Sequence, residues 1–181
     1  MKDSALSVAN YFVDKSLKET KALKPLKLMK LVYIAHGYML AMLGYSVFSK
    51  RFDKVEAWKF GPVIPSVYHS FKRYGNQPIT EKTGGFVDVR IEEGEFVVDY
   101  VEPTLTDEDA KMICNFVWEK YGSYSDSTLV TMLHSPGTPW KDVYVEGQNN
   151  VIPDDLTKEY YTRISNAIIR ASKEWKNKTG Q

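Results

Sequence analysis

The chain has 181 residues, of which 43% are hydrophobic and 26% charged, as in an ordinary globular protein. Its 24 Lys and Arg against 23 Asp and Glu leave a net charge of +1, which excludes a global field that would attract nucleic acid or an anionic membrane. The lone Cys114 excludes an internal disulfide, and no signal-like or membrane-length apolar segment is found, so we expect a cytoplasmic location with no membrane partner.

The first predicted element is a surface helix near the N-terminus. Asp3 or Ser4 can cap it, because a short polar side chain before a helix accepts a hydrogen bond from a free backbone N–H. Apolar residues then recur at helical spacing from Leu6 to Leu17, with charged residues between them. This pattern predicts a helix that buries one face.

The next stretch, from Pro25 to Gly44, is the most apolar in the chain. Proline suits the first position of a helix, and glycine suits the residue just past its end. Only Lys27, Lys30 and His36 are polar enough to resist burial, and a helix that is apolar on all sides is normally a central one. We therefore predict a core helix surrounded by the rest of the chain.

The middle of the chain predicts shorter elements. Residues 46–60 read as a short strand or extended loop, and residues 61–66 as a turn stiffened by two prolines, with a helix after it that ends at Gly75. Residues 86–91 and 95–101 flank a turn that contains Gly94, which predicts a β-hairpin. Because two strands alone are marginally stable, the hairpin must pack on the helices or pair with the strand before Gly61.

The last third predicts helices. Thr106 and Asp109 resemble a capping box that opens a helix stopped by Gly122, and Ser125 can cap a short helix that ends near His134. A tight link and one more turn follow. Pro153 then opens a final helix over 153–177, whose apolar stripe runs from Leu156 to Trp175. These elements predict a single α+β domain over 1–181, mainly α-helical and compact around the central apolar helix, with a small antiparallel hairpin or sheet.

Motifs of catalysis are missing from the sequence. It contains no nucleophile elbow, phosphate-binding loop, dinucleotide fingerprint or zinc-protease motif, so we expect no enzymatic activity and no cofactor. His36, His69 and His134 lie on different segments, and a metal-dependent hydrolase built from them is one alternative. A nucleic-acid-binding regulator is another, and it would use the basic side chains Lys21, Lys24, Lys27, Lys30, Arg170 and Lys173.

Three motifs stand out together. They lie within residues 26–140, except that the last motif extends to Lys141. They are Lys27-Leu-Met-Lys-Leu-Val-Tyr-Ile-Ala-His-Gly, Val55-Glu-Ala-Trp-Lys-Phe-Gly-Pro-Val-Ile-Pro-Ser-Val-Tyr68, and Leu133-His134 with Thr138-Pro-Trp-Lys141. In these residues the chain resembles the SocA-like antitoxin family, whose shared unit is the Panacea domain and whose members are often labelled phage-associated proteins. Glu56-Ala-Trp-Lys-Phe-Gly-Pro-Val63 is the most specific part of the resemblance.

The resemblance implies an antitoxin that neutralises a cognate protein toxin by binding it directly, with the toxin usually encoded by an adjacent gene. One branch of the family acts as a proteolytic adaptor that delivers its toxin to a Clp-type protease, so a protease is a second candidate partner. A phage accessory protein is a further alternative. On the motifs, the candidate partner-binding residues are Lys30, Tyr33, His36, Trp58, Gly61, Pro62, Val63, Tyr68, His134 and Trp140. Of these, Lys30, His36 and His134 are expected to shape a concave surface near the Gly-Pro-Val turn.

Overall fold

The computed structural model describes residues 3–84 and 86–179, and nothing is said of the side chains of 86–89, 98–100 and 175–179. Its helices are α1 (Ala5–Lys18), α2 (Pro25–Met42), α3 (Pro65–Phe71), α4 (Glu108–Tyr121), α5 (Asp126–His134), α6 (Pro139–Val143) and α7 (Asp154–Thr179), with a 3-10 turn at Lys72–Tyr74. The strands are β1 (Glu56–Trp58), β2 (Gly61–Val63), β3 (Phe86–Glu92) and β4 (Glu95–Val101). The predicted α+β class, mainly helical, is therefore confirmed.

Helix α2 is the centre of the molecule, as its sequence predicts. It begins at Pro25, ends two residues before Gly44, and is buried at every residue from Leu28 to Leu40. Helices α1, α3, α4, α5 and α7 and strand β2 all pack against it. Because neighbours cover every face of α2, an apolar side chain is favourable at almost every position.

Aromatic rings join α2 to α4 and α7. Tyr38 of α2 and Tyr121 of α4 share a hydrogen bond of 2.7 Å between their hydroxyls, and Tyr161 of α7 packs edge-on against Tyr38. The Tyr161 ring also lies directly over Gly37, where a Cβ atom would come within 2.1 Å of it. Helix α7 therefore approaches α2 closely because residue 37 has no side chain.

Strands β1 and β2 form a small antiparallel hairpin that carries the most specific motif. The register pairs Glu56 with Val63 and Trp58 with Gly61, so Lys59 and Phe60 form the turn. The sequence predicted a turn over residues 61–66, and that prediction is wrong for 61–63, which form β2 and pair with β1. The outer edge of β1 is covered by residues 150–152, whose backbone hydrogen-bonds to residues 55 and 57 and so sets where α7 begins.

Strands β3 and β4 form the predicted second hairpin, paired in register from Phe86 with Val101 to Glu92 with Glu95. Among the described residues it pairs with no other strand, so pairing with the strand before Gly61 is excluded. Near its tip, Ile91 and Phe96 are cross-strand neighbours and both are largely exposed.

At the starts of α1 and α4, the structure differs from two details of the predicted helix caps. Ser4 occupies the N-cap of α1, as predicted, but Asp3 instead accepts hydrogen bonds from the backbone N–H groups of Thr106 and Asp107. Asp107, and not Thr106, is the N-cap of α4, and its carboxylate accepts from Ala110 N at 2.9 Å. The predicted capping box is wrong because Asp3 binds Thr106 through both its backbone and its hydroxyl.

The last helix spans Asp154–Thr179, close to the predicted 153–177, although the side chain of Trp175 lies outside the described part. No helix over 3–84 and 86–179 combines the length and the apolar character that crossing a membrane requires.

A buried carboxylate joins α1, the loop before β1 and α3. Asp53 is 7% exposed and accepts hydrogen bonds from Ala5 N at 3.1 Å, Ser49 N at 2.9 Å and the Ser66 hydroxyl at 2.9 Å. The Ala5 N–H is one of the free donors at the start of α1. Asp53 therefore satisfies backbone donors that would otherwise be buried without a partner.

We expect Asp53→Asn to lower the free energy of unfolding by about 2 kcal/mol, because an amide NH₂ would face donors that need an acceptor. Urea denaturation followed by circular dichroism measures the change. Glu159→Gln, at an exposed position beyond the first turn of α7, is the control and should change stability by less than about 0.5 kcal/mol. Equal stability of the two variants would contradict the prediction.

Candidate functional site

A groove of about 700 Å³ opens between the start of α2, the β1–β2 hairpin and the end of α3. It is lined by Pro25, Leu26, Met29, Lys30, Trp58, Lys59, Phe60, Val63, Tyr68, Lys72, Gly75 and Asn76. The three elements that carry these residues come from separate parts of the sequence. Two of the three motifs therefore line a single concave surface.

Aromatic side chains form one wall of this groove. Trp58 and Tyr68 pack edge to face with ring centroids 4.9 Å apart, and the Trp58 indole N–H donates to the Glu56 carboxylate at 2.8 Å. Phe60, at the hairpin turn, is 61% exposed. This part of the groove therefore exposes apolar surface next to a partly buried aromatic pair.

Lys30 forms part of the groove wall, yet its side chain is completely buried. Its ammonium group donates to the backbone carbonyl of Pro62 at 3.1 Å. Gly61 makes room for it, since a Cβ atom there would lie 2.8 Å from Lys30 Nζ, and the φ of +104° at Gly61 suits glycine. Burial lowers the pKa of Lys30 from 10.5 to about 7.

His134 lies behind the same glycine. Its Nε2 would be 3.4 Å from a Cβ atom at Gly61, is buried, and has no hydrogen-bond partner in the described part of the chain. The imidazole stacks on Trp140 with centroids 3.7 Å apart, and the Trp140 indole N–H donates to the Trp58 carbonyl at 2.8 Å. The pKa of His134 is lowered, mainly by burial and then by the charges of Lys30 and Lys141. The third motif thus supports the hairpin from behind.

Tyr33 lies away from the groove. It is almost fully buried, its hydroxyl is 3.5 Å from the hydroxyl of Thr157, and its ring packs edge-on against Tyr161. Burial raises its pKa well above the ordinary value. Tyr33 therefore joins α2 to α7 inside the core.

His36 also lies elsewhere, lining a separate cavity of about 370 Å³. Its Nδ1 is 2.8 Å from the Ser46 hydroxyl and its Nε2 is 3.1 Å from Asp154, while its ring stacks on Phe48 with centroids 4.2 Å apart. The hydrogen bond with His36 lowers the pKa of Asp154. Of the three polar residues expected near the Gly-Pro-Val turn, the fold brings together Lys30 and His134 but not His36.

The structure also places residues of the two alternative functions, the metal-dependent hydrolase and the nucleic-acid-binding regulator. His69 is exposed, and no group of three His, Cys, Asp or Glu among the described residues could hold a metal ion. The basic stripe is also interrupted, because Lys30 is buried, Lys21 pairs with Glu19 at 2.7 Å, and Lys27 donates to the Gly122 carbonyl.

Comparison with known proteins gives two matches that agree. The family model described as antitoxin SocA-like, Panacea domain, matches residues 28–141. Antitoxin SocA of Caulobacter vibrioides (strain NA1000 / CB15N) is 35% identical over 143 residues, which is 79% of this chain and 71% of that protein. The chain belongs to the SocA-like antitoxin family, as its motifs predicted. No solved structure matches it.

Several groove residues were missed by sequence reasoning. Leu26 and Met29 were assigned to the core helix, Lys59 and Phe60 to a strand or loop, and Lys72 was not singled out. The available signal was the helical spacing of Leu26, which lies three residues before Met29 and four before Lys30, but it does not show which face of an all-apolar helix stays open.

Proposed function

We propose that this antitoxin neutralises a cognate protein toxin by binding it directly through the groove, with Trp58, Phe60 and Tyr68 at the centre of the interface. The observation that supports this most is that an exposed phenylalanine and a buried lysine, Phe60 and Lys30, line the same groove. Neither arrangement improves stability, because the first leaves apolar surface in water and the second desolvates a charge. Residues that cost stability concentrate at functional sites.

The groove is too small to be the whole interface. A stable complex buries about 1,200 to 2,000 Å² in total, so the toxin must also cover the surrounding surface. In this proposal the groove supplies the few contacts that dominate the affinity. Of the remaining motif residues, Val63 lines the groove, while Gly61, Pro62, His134 and Trp140 hold the β1–β2 hairpin in place and Tyr33 and His36 maintain the position of α7.

Co-expression with the product of the adjacent reading frame tests the proposal in the cytoplasm, where we expect both proteins to act. Growth should be restored, and the two proteins should co-purify. Following the amount of toxin after synthesis is stopped separates blocking from delivery to a Clp-type protease. Blocking leaves the toxin level unchanged, whereas delivery shortens its lifetime only when the protease is present. Failure to restore growth and to form a complex would contradict the proposal.

Phe60→Ala provides the sharpest variant, because the chain contains a matched control. Phe52 is also exposed, at 69%, and each ring has a neighbouring cation over it, Lys59 for Phe60 and Arg51 for Phe52. We expect Phe60→Ala to weaken toxin binding at least tenfold, as loss of a central aromatic contact does, and Phe52→Ala to change it less than twofold. Titration calorimetry measures both, and equal affinities would contradict this interface.

A further inference from the structure

The charge of the groove points to the chemistry of the segment that it binds. Lys59 and Lys72 are exposed at its rim, Lys30 is in its wall, and no Asp or Glu from the described part of the chain lines it. The nearby Glu56 is already hydrogen-bonded to the Trp58 indole. The groove is thus a positive site in a chain whose net charge is only +1.

Over the described residues, neither rim lysine forms an ion pair. By contrast, Arg73, adjacent to Lys72, pairs with Glu81 at 2.7 Å. The ammonium of Lys59 lies only near the ring of Phe60, 5.9 Å from its centroid. Both charges are therefore free to meet carboxylates of a partner.

The floor between these cations is apolar, formed by Leu26, Met29 and Val63 beside the aromatic wall of Trp58 and Tyr68. A polyphosphate backbone would leave this surface uncovered, and it would need more than two exposed cations for strong binding. A protein segment with an apolar side chain between acidic ones would satisfy both the floor and the rim. The lining therefore favours a protein over a nucleic acid.

We infer that the groove binds an acidic segment of the toxin, in which Asp or Glu residues flank a large apolar side chain. The apolar side chain packs on the floor beside Phe60, and the carboxylates pair with Lys59 and Lys72. The buried ammonium of Lys30 adds positive potential from behind. This inference rests on the proposed toxin-binding function and adds the chemical class of the bound segment.

The experiment reverses the two rim charges in the full chain and uses the purified product of the adjacent reading frame as the probe. We expect Lys59→Glu/Lys72→Glu to weaken binding by 10- to 100-fold and to abolish growth rescue, whereas Lys59→Arg/Lys72→Arg retains both. The matched control, Lys54→Glu/Lys158→Glu, makes the same change of net charge at exposed sites outside the groove and should cost less than threefold. Circular dichroism checks that all variants fold.

Compensating changes in the toxin make the test more specific. Toxin variants selected to restore growth with Lys59→Glu/Lys72→Glu should replace Asp or Glu by Lys or Arg within one segment. Wild-type affinity of the reversed variant, or equal losses in reversed and control variants, would overturn the inference while leaving toxin binding intact. Retention of DNA or RNA that is lost in the reversed variant, with toxin affinity unchanged, would also overturn it. No complex with the unmodified chain would instead contradict the proposed function.

Discussion

Replacing Lys30 with methionine is expected to stabilise the fold and to weaken toxin binding at least tenfold. At pH 6 the folded chain holds a desolvated ammonium, which methionine of similar length removes. The gain is offset by the Pro62 carbonyl, which loses its donor at a cost of about 1 to 3 kcal/mol. With a gross gain of about 5 kcal/mol from the lowered pKa, a net gain of about 2 to 4 kcal/mol remains. Binding weakens because this ammonium holds strand β2 in the groove wall and contributes positive charge.

The stability difference should depend on pH, with a sign set by the lowered pKa of Lys30. Between about pH 7 and pH 10.5 the unfolded chain keeps this proton and the folded chain releases it, so the free energy of unfolding rises with pH. Over the whole range the rise reaches at most about 5 kcal/mol. Lys30→Met should therefore be more stable than the wild type at pH 6 and lose that advantage by about pH 9.5.

Urea denaturation at several pH values, beside titration calorimetry with the toxin, measures both effects. Lys24→Met is the control, because Lys24 is exposed one residue before α2 and should show neither the stability gain nor the pH dependence. A Lys30→Met variant that is less stable at pH 6, or that binds toxin as well as the wild type, would contradict this account of the buried lysine.

Gly37→Ala is expected to lower the free energy of unfolding by about 3 kcal/mol or more. Alanine favours a helix by about 1 kcal/mol over glycine, but the added methyl would sit 2.1 Å from the Tyr161 ring. That ring is buried between Tyr33 and Tyr38 and cannot move without separating α7 from α2. Overpacking of a core contact therefore exceeds the gain in propensity.

Thermal denaturation of Gly37→Ala, Tyr161→Leu and the double variant measures this effect. Because the two changes share one contact, the double variant should lose less stability than the single losses added together. Gly84→Ala is the control, since no described atom beyond its chain neighbours lies within 4 Å of a Cβ atom there, and its φ is outside the left-handed region. Wild-type stability in Gly37→Ala would show that α7 is not held against α2 at this point.

Local patterns predicted the elements that depend on nearby residues. Three such features depend only on residues close in sequence. They are the proline and glycine at the ends of α2, the apolar stripe of α7 and the glycine turn of the β3–β4 hairpin. The prediction failed at Thr106 because its competitor, Asp3, is distant in sequence. It failed at Gly61 for a similar reason, since a buried lysine from α2 and the indole of Trp140 hold the hairpin in its register.

The sequence by itself determined the family, the mainly helical class and the central position of α2, because motif identity, propensity and hydrophobic patterning are properties of order along the chain. It also singled out Lys30 and His134 as polar residues that need a reason to be buried. Only the tertiary structure decided that these two meet behind Gly61 while His36 faces Asp154, and that Phe60, Lys59 and Lys72 border one groove. Such groupings arise when separate elements pack, and the directions of their side chains depend on that packing.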